Sequence, residues 1–355
     1  MKKYLVRYSL LGIVAVIIFQ IINTLIAAGS FKNIQPQFKG TVEKISLPVS
    51  GPEDITIDAA NGLAFISCDD RRSNQKNPGS VPGAILVMNL NNSSKTIRNV
   101  TSTELNDFHP HGISLFKTQD GKTILFAISH RSTAPKHVVE RFEWRNDSLF
   151  HLETIAGPEL MTSPNDLSAT GERTFYVTND HYYPEPGIGR TLEEYLQRAI
   201  SYVNYYDGNT FQKVADNIPY SNGIQVSQDG TKVYVASIIG RNVLVFDRGN
   251  NNRLSLLKKI NVYTGADNIE LDSNGDLLVG CHPQLLKFVA HAKDPAKFSP
   301  SQILRIKSSD HTVEELFLND GSDYSGSTVA APFSGIFLVG SVFEPSLLIL
   351  KPDRQ

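Results

Sequence analysis

The sequence predicts an all-β fold: a six-bladed β-propeller with four-stranded blades, preceded by an N-terminal transmembrane helix. Three observations support this prediction. Short alternating strand-like segments with turn dipeptides follow residue 40, one phrase recurs six times, and an apolar stretch opens the chain. At 355 residues the chain is long enough for one large all-β domain.

Each copy of the repeated phrase consists of a polar cluster, a short strand, a glycine-containing turn and a more hydrophobic strand. Equivalent positions recur 45 to 59 residues apart, which is enough chain for four short strands and their loops. Propellers protect their sheet edges by radial repetition of four-stranded sheets, so six repeats predict six blades in one closed domain. The equivalent positions are Asp54, Gly112, Asp166, Gly223, Asn268 and Ser327.

Closure of the ring requires a strand from the start of the propeller to pair with the last strand. We expect a strand near 40–47 to lie beside one near 346–350. Convincing helical periodicity occurs only over 186–203, so we expect one further helix there, packed on the propeller.

The N-terminal segment has the composition of a membrane anchor. Lys2, Lys3 and Arg7 precede 24 uncharged residues, 8–31, and a bilayer core requires about 20 apolar residues in a helix. Basic residues before such a segment favour a cytoplasmic location for that end. The rest of the chain is then expected on the extracytoplasmic side, whether periplasmic, luminal or extracellular.

The alternative to an anchor is secretion after signal cleavage at Ala27 or Ala28. Leu25 and Ile26, two places earlier, are not the small residues that such a cleavage site prefers. We therefore expect residues 1–31 to form a membrane anchor or uncleaved signal and residues 32–355 to form the propeller domain.

Charge and cysteine content exclude several classes of protein. The chain has 34 lysines and arginines against 36 acidic residues, a net charge of −2, so it lacks the basic surface typical of nucleic-acid binding. Its two cysteines, Cys68 and Cys281, are too few for a disulfide framework and do not have the spacing of zinc ligands.

The polar clusters that open the repeats predict a metal site. The first strand of every propeller blade lines the central channel, so these clusters should meet at one end of it. Carboxylate and amide oxygens without thiolates suit hard cations, and Ca²⁺ accepts six to eight of them, so we expect calcium ahead of magnesium. The cluster residues are Glu53, Asp54, His111, Asn165, Asp166, Asn222, Asp267, Asn268, Ser327 and Thr328.

A simpler interpretation is that each Asp or Asn only caps a turn. Turn capping does not require these side chains to meet at one end of a channel, however. Four carboxylates crowded there would also repel one another unless a cation neutralised them.

Several longer motifs occur in order along nearly the whole chain: GPEDI, GLAFIS, FHPHGIS, PNDL, TNDHYY, SNGI, ADNI, GCHP and GSTV. In these motifs the chain resembles the paraoxonase/arylesterase family. The resemblance implies a propeller that holds two calcium ions, one catalytic and one structural, and that hydrolyses lactones, aryl esters and, in some members, organophosphates.

The resemblance also implies the ligands of both ions. The catalytic calcium would be bound by Glu53, Asn165, Asn222, Asp267 and Asn268. The deeper structural calcium would be bound by Asp54, Asp166 and the backbone carbonyl of Ile113.

The catalytic and substrate-binding residues are implied in the same way. His111 and His130 match the family's histidine dyad, which would deprotonate the attacking water, and Asp267 is the alternative base or nucleophile. Histidine suits this role near neutral pH. The residues expected to line the substrate pocket are Asp180, His181, Tyr220, His282 and Thr328.

Two other functions fit the predicted propeller. One is a sugar-lactone hydrolase of the gluconolactonase type, which would prefer polar lactones. The other is a non-catalytic, calcium-stabilised binding propeller, because fold does not dictate function.

The chain departs from animal members of the family, which tie the first and last strands by a disulfide. Val42 stands at the N-terminal position, and the tail KPDRQ has no cysteine. We therefore expect noncovalent ring closure and no pairing of Cys68 with Cys281. The segment 69–81, a candidate active-site flap, also differs, which leaves the substrate preference open.

Overall fold

A computed structural model, which describes residues 2–92, 95–157 and 159–353, shows six four-stranded antiparallel sheets arranged as the blades of a propeller. Four helices accompany them in these residues: α1 (Lys2–Ala27), α2 (Arg71–Lys76), α3 (Ile188–Tyr195) and α4 (Leu285–Lys293). The predicted fold class and number of blades are confirmed.

The first three blades follow chain order, with four consecutive strands in each. Blade 1 contains β2 (Pro52–Asp58), β3 (Leu63–Cys68), β4 (Ala84–Asn89) and β5 (Ile97–Asn99). Blade 2 contains β6 (Pro110–Lys117), β7 (Thr123–His130), β8 (His137–Arg145) and β9 (Ser148–Ala156). Blade 3 contains β10 (Pro164–Ala169), β11 (Phe175–Asn179), β12 (Ser201–Tyr206) and β13 (Phe211–Ile218).

Blades 4 and 5 are built in the same way, whereas blade 6 combines both ends of the propeller. Blade 4 contains β14 (Ser221–Val226), β15 (Lys232–Ser237), β16 (Asn242–Arg248) and β17 (Leu254–Asn261). Blade 5 contains β18 (Gly265–Leu271), β19 (Leu277–His282), β20 (Ser301–Ile306) and β21 (Val313–Asn319). Blade 6 contains β22 (Ser327–Phe333), β23 (Ile336–Ser341), β24 (Ser346–Pro352) and β1 (Gly40–Ser46).

The ring closes noncovalently through β1, which pairs with β24 in antiparallel register from Gly40 opposite Pro352 to Ser46 opposite Ser346. This is the predicted closure. Cys68 and Cys281 are free, buried and located in different blades, so the expected absence of a disulfide between them is confirmed.

The hydrophobic core is divided among the gaps between the blades. Within the described residues, each of six clusters joins two neighbouring blades, including the closing pair of blades 1 and 6. In that closing cluster, Ile55 and Leu86 of blade 1 pack with Leu347 and Ile349 of blade 6, all four fully buried. The ring is therefore held by apolar contacts between blades as well as by the β1 pairing.

The helix predicted over 186–203 was too long. The helix α3 covers only Ile188–Tyr195, and Ser201–Tyr206 is strand β12. Gln197 adopts a positive φ of 53° just after the helix, and the aromatic and β-branched residues that follow pair with β11. The apolar residues of the buried strand β12 thus have a spacing that resembles the continuation of an amphipathic helix.

Helices α2 and α4 were not predicted. Both lie in connections between strands, where the helical pattern covers only six and nine residues. Asp70 begins α2 as an N-cap, because its side chain accepts a hydrogen bond from the backbone N–H of Ser73 at 3.0 Å.

The apolar helix α1 projects from the propeller. Arg7–Ala27 has the length and hydropathy of a membrane span, and its side chains are exposed over most of its length, up to the buried Ala27. Its last turns contact the propeller, since Gln20 and Thr24 donate hydrogen bonds to the carbonyl of Tyr195 at 3.1 and 3.0 Å. The structure is thus consistent with either a membrane anchor or a signal segment.

Noncovalent closure makes a testable prediction. We expect Leu347→Ala to lower the free energy of unfolding by about 2 to 5 kcal/mol, because it opens a cavity between blades 6 and 1. The matched control is Leu256→Ala, at a side chain that is 49% exposed, for which we expect a change below about 0.5 kcal/mol. Urea unfolding of both variants checks this, and equal effects would contradict the proposed role of the closing contact.

Candidate active site and metal centre

The predicted metal ligands lie where the innermost strands of the blades carry β-bulges. Each of the six inner strands shifts register against the next strand at its polar cluster, as in β2 between Pro52 and Asp54 and in β6 between Pro110 and Ile113. A bulge turns a side chain out of the strand alternation and ends regular pairing. The repeated polar clusters therefore share a local geometry that frees their side chains from the blade.

Two glycines let neighbouring inner strands approach each other at this level. A Cβ on Gly112 would lie 2.5 Å from Oδ1 of Asp166, and one on Gly223 would lie 2.4 Å from the carbonyl oxygen of Asp267. No larger residue fits either position without displacement. The glycines of HPHG and SNGI thus bring the blade 2 strand against blade 3, and the blade 4 strand against blade 5.

Two aspartates join neighbouring blades through backbone N–H groups. Oδ2 of Asp54 accepts a hydrogen bond from the N–H of Ile113 at 2.7 Å, and Oδ2 of Asp166 accepts one from Ile224 at 2.8 Å. Burial and the nearby carboxylate of Glu53 raise the pKa of Asp54 well above its ordinary range. Burial and the carboxylate of Asp54 raise the pKa of Asp166 in the same way. A cation beside these carboxylates would offset this penalty.

Four buried oxygens that were predicted to bind calcium have no hydrogen-bond partner among the described residues. They come from four different blades, a coincidence that turn capping does not explain. Buried polar atoms in native proteins are normally bonded to protein, water or an ion, so four unpartnered oxygens in one predicted set fit a site for a bound cation. The atoms are Oε2 of Glu53 and Oδ1 of Asn165, Asn222 and Asn268.

Contacts between blades place several of these residues together. Asn268 donates through Nδ2 to Oε1 of Glu53 at 2.9 Å, which leaves its own Oδ1 free. Thr328, fully buried, donates to the backbone carbonyl of Glu53 at 2.5 Å. Asp267 is bonded through Oδ2 to Nε2 of His282 at 2.7 Å. Glu53 is therefore held in place from blades 5 and 6 while one of its oxygens stays free.

The donor set fits a hard cation. Among the residues described, no three His, Cys, Asp or Glu side chains form a complete ligand cluster by themselves. The orphaned atoms are instead mostly amide oxygens, which combine with carboxylates in sites for Ca²⁺ and are unusual in sites for zinc.

The two predicted catalytic histidines are hydrogen-bonded to each other. Nδ1 of His111 lies 2.7 Å from Nε2 of His130, with the ring planes inclined at 66°. Nε2 of His111 lies 3.6 Å from Oε2 of Glu53, too far for a hydrogen bond, so it remains open toward the orphaned oxygens. Burial and the neighbouring His111 lower the pKa of His130 well below its ordinary value.

His181 connects the end of β11 to the helix α3 through two carboxylates. Its Nδ1 lies 2.8 Å from Oδ1 of Asp180, and its Nε2 lies 3.0 Å from Oε1 of Glu194 on α3. Burial lowers the pKa of His181, but the two carboxylates raise it more, to about 9 overall. A cation held between two anions is unsuited to act as a base at neutral pH.

Two clefts flank the channel mouth. An apolar crevice lies between the end of α1, the helices α3 and α4, and the predicted pocket residues Tyr220 and His282. A second cleft lies between the flap 69–81 and the histidines His111 and His130. Tyr220 and His282 therefore line the crevice, although His282 is itself nearly fully buried, whereas Asp180, His181 and Thr328 are buried and line neither of these two clefts.

The flap contains α2, is braced by its own hydrogen bonds and is attached to α4. Within the flap, Asn74 donates to Oδ1 of Asp69 at 3.0 Å and accepts from the N–H of Val81 at 3.1 Å. Arg72 donates to the carbonyl of His291 on α4 at 2.7 Å and stacks over the ring of Phe343 at 4.3 Å.

Sequence reasoning missed several residues that shape the site. Glu194 holds His181, and Phe288 on α4 stacks on His282 with ring centroids 3.9 Å apart. His137 lies 2.8 Å from His130. A histidine seven residues beyond His130, at the start of the next strand, was the available signal for this last contact.

The ion pair of His181 predicts a pH dependence of stability. Its folded pKa of about 9 lies above the ordinary value of 6.5, so its contribution is fully present below about pH 6.5 and is lost as the pH rises through 9. At about 1.4 kcal/mol per pKa unit, the loss in free energy of unfolding is roughly 3 kcal/mol. Urea unfolding between pH 6 and 10 measures it.

The control for this pH dependence is His181→Gln, which cannot titrate. We expect the variant to be less stable at neutral pH and to lack the decline over this window. A decline of the same size in the variant would assign the pH dependence to another group.

Comparison with known proteins shows what the chain is related to. The sequence model of the arylesterase family matches residues 30–349. The chain is 36% identical to mouse serum paraoxonase/arylesterase 1 over 310 residues, which cover 84% of this chain and 85% of that protein. It is also 36% identical to human serum paraoxonase/arylesterase 2 over 327 residues, which cover 86% and 90% of the two chains.

Solved structures with little sequence identity share the fold. A luciferin-regenerating enzyme has a TM-score of 0.56 at 14% identity, covering 89% of this chain and 95% of its own. The calcium-binding protein regucalcin from Agrobacterium tumefaciens has a TM-score of 0.52 at 14% identity, covering 88% and 93%. A gluconolactonase from Xanthomonas campestris has a TM-score of 0.51 at 13% identity, covering 90% and 98%.

The bulged inner strands, the histidine pair and the flap thus occur in a chain whose sequence match runs through all six blades. The protein belongs to the arylesterase family.

Proposed function

We propose that the protein is a calcium-dependent hydrolase of lactones and aryl esters, with organophosphates as further candidate substrates. The observation that carries this proposal is the set of four unpartnered buried oxygens, one of which, Oε2 of Glu53, lies 3.6 Å from Nε2 of His111. The names of the relatives support esterase activity, and the regucalcin neighbour supports calcium only through its similar fold.

The proposal includes two calcium ions. Glu53, Asn165, Asn222, Asp267 and Asn268 would hold the catalytic ion, and Asp54, Asp166 and the carbonyl of Ile113 would hold the structural one. The orphaned oxygens of four of these residues support the first set, and the buried aspartates support the second. A bound calcium would polarise the substrate carbonyl and stabilise the oxyanion formed on attack.

The chain's own residues would activate water. In the tautomer that donates its Nδ1 proton to Nε2 of His130, His111 would present an unprotonated Nε2 that can accept a proton from water. His130 would thereby orient the ring and fix its tautomer, since neutral imidazole donates from one nitrogen and accepts at the other. Asp267 is the weaker candidate for the base, because its Oδ2 is already bonded to His282.

The crevice favours lipophilic over sugar substrates. Its lining includes Ala27, Ile238, Leu285 and Phe288, which offer few partners for sugar hydroxyls. A gluconolactonase-type activity is therefore the second candidate. The third, a non-catalytic binding propeller, does not account for the histidine pair at the orphaned oxygens.

We propose that residues 1–31 anchor the protein in a membrane, with the propeller, 32–355, on the extracytoplasmic side. Lys2, Lys3 and Arg7 support this orientation. Because the end of α1 borders the crevice, the site would open near the bilayer surface, where lipophilic substrates concentrate. Secretion after cleavage at Ala27 or Ala28 is the alternative location.

Calcium removal tests the metal assignment. We expect chelation to abolish hydrolysis of phenyl acetate and of an acyl lactone and to lower the melting temperature, because a ligand at 1,000 times its Kd stabilises the folded state by about 4 kcal/mol. Asn222→Ala should reduce the calcium-dependent rise in melting temperature, whereas Asn250→Ala, at an exposed position, should not. Hydrolysis and melting that are indifferent to calcium would refute the assignment.

Substitution of His111 tests the base. We expect His111→Gln to lower kcat by about 10² to 10⁴, the usual contribution of a general base, and to keep the calcium-dependent rise in melting temperature. Parallel assays with a sugar lactone as substrate separate the two lactonase candidates. Unchanged turnover of His111→Gln would instead assign the base to Asp267.

A further inference from the structure

A third histidine extends the His111–His130 pair toward the protein surface. Nδ1 of His130 lies 2.8 Å from Nδ1 of His137, with ring centroids 4.9 Å apart and ring planes inclined at 87°. His130 ends β7 and His137 begins β8, and the two face each other in the antiparallel register. Three imidazoles thus form one hydrogen-bonded row from the site to the blade rim.

The row permits only two ordered proton arrangements. A neutral imidazole carries one N–H, and each N···N contact holds one proton, so fixing one tautomer fixes the other two. In one arrangement Nδ1 of His111 donates to His130, and Nδ1 of His130 donates to His137, which leaves Nε2 of His111 free to accept. In the other arrangement every proton is reversed, and His111 cannot act as a base.

The outer end of the row is accessible to solvent. His137 is half-exposed, and its Nε2 makes no hydrogen bond to any part of the chain that the structure describes. The ring of His137 contacts the ring of His130, and the charged or titratable groups that influence its pKa are Asp180 beyond β11, Glu185 before α3, the adjacent Lys136, and His111. Asp180 is bonded to His181, and Glu185 accepts from Lys136 at 3.3 Å, so neither competes for Nε2.

We propose that His137 is a positioning residue that orders the tautomers of His130 and His111 and exchanges their proton with solvent. The proposal rests on the esterase function proposed above. Burial lowers the pKa values of both His130 and His137, which favours the neutral rings that such a row requires.

The protons that the three histidines take up and release balance over one catalytic cycle. When an O–H bond of water breaks, its proton bonds to Nε2 of His111, and the Nδ1 proton of His111 passes to Nε2 of His130. The Nδ1 proton of His130 then passes to Nδ1 of His137, whose Nε2 proton leaves to bulk water. The reverse sequence delivers a proton from solvent to the departing alkoxide or phenolate and restores the first arrangement, with no change of oxidation state.

The kinetic test uses His137→Asn in the full-length protein. The asparagine amide retains a hydrogen-bond partner for Nδ1 of His130 but has no second ring nitrogen to relay a proton. We expect kcat for phenyl acetate to fall about tenfold, a fraction of the usual acid–base contribution, and to recover with added imidazole, while KM and the melting temperature stay constant. His311→Asn is the matched control, since His311 lies at a positive φ of 63°, which asparagine tolerates.

Two kinetic results would overturn the proposal. One is an unchanged kcat in His137→Asn. The other is a loss of kcat that imidazole does not restore and that accompanies a lower melting temperature, because this result assigns His137 a purely structural role.

A second measurement separates this inference from the proposed function. ¹⁵N NMR of histidine-labelled protein reads ring tautomers whether or not the protein turns over substrate. We expect His111 to carry its proton on Nδ1 in the wild type and to show mixed tautomers in His137→Asn. An inactive wild type with ordered tautomers would refute the esterase function alone, whereas an active wild type whose tautomers are indifferent to His137 would refute the inference alone.

Discussion

The structure depends on one electrostatic constraint: carboxylates and unpartnered amide oxygens are buried together on the propeller axis. Asp54 and Asp166 have raised pKa values there, and four oxygens find no donor among the described residues. A buried polar atom left unsatisfied costs roughly 1 to 3 kcal/mol. A cation bound to these oxygens, as proposed above, would offset this cost and would link assembly of the ring to occupancy of the site.

The fold separates stability from chemistry. Apolar clusters between the blades hold the ring, whereas the polar residues occupy the bulges of the inner strands. The bulges and the close approach at Gly112 and Gly223 bring side chains from different blades within bonding distance. Segments outside the blades then complete the site: the flap supplies one wall, and α3 and α4 supply another.

Much of this arrangement could be predicted from the sequence because the repeat is local. Each blade repeats the same alternation of strand and turn, so six copies predicted six blades and the β1 closure. The polar cluster of each copy coincides with the β-bulge of the inner strand. The histidine pair was predicted from family motifs, and its 2.7 Å contact agrees with that prediction.

The remaining features depend on tertiary contacts that leave little trace in a local pattern. Helices α2 and α4 are short insertions, and Tyr202 and Val203 mimic a helical face although they lie in a strand. His137 meets His130 only through the strand register. Glu194 becomes important because α3 folds back over the mouth.

The final turns of α1 belong to the entrance of the site. Thr24 bonds to the carbonyl of Tyr195, the carbonyl of Ala28 accepts from the N–H of Leu285, and Ala27 forms part of the crevice wall. Proteolytic release at Ala27 or Ala28 would therefore remove one wall of the crevice along with the tether. A cleaved form and an anchored form of this chain would therefore have crevices of different shape. The same helix would then influence both the location of the protein and its substrate selectivity.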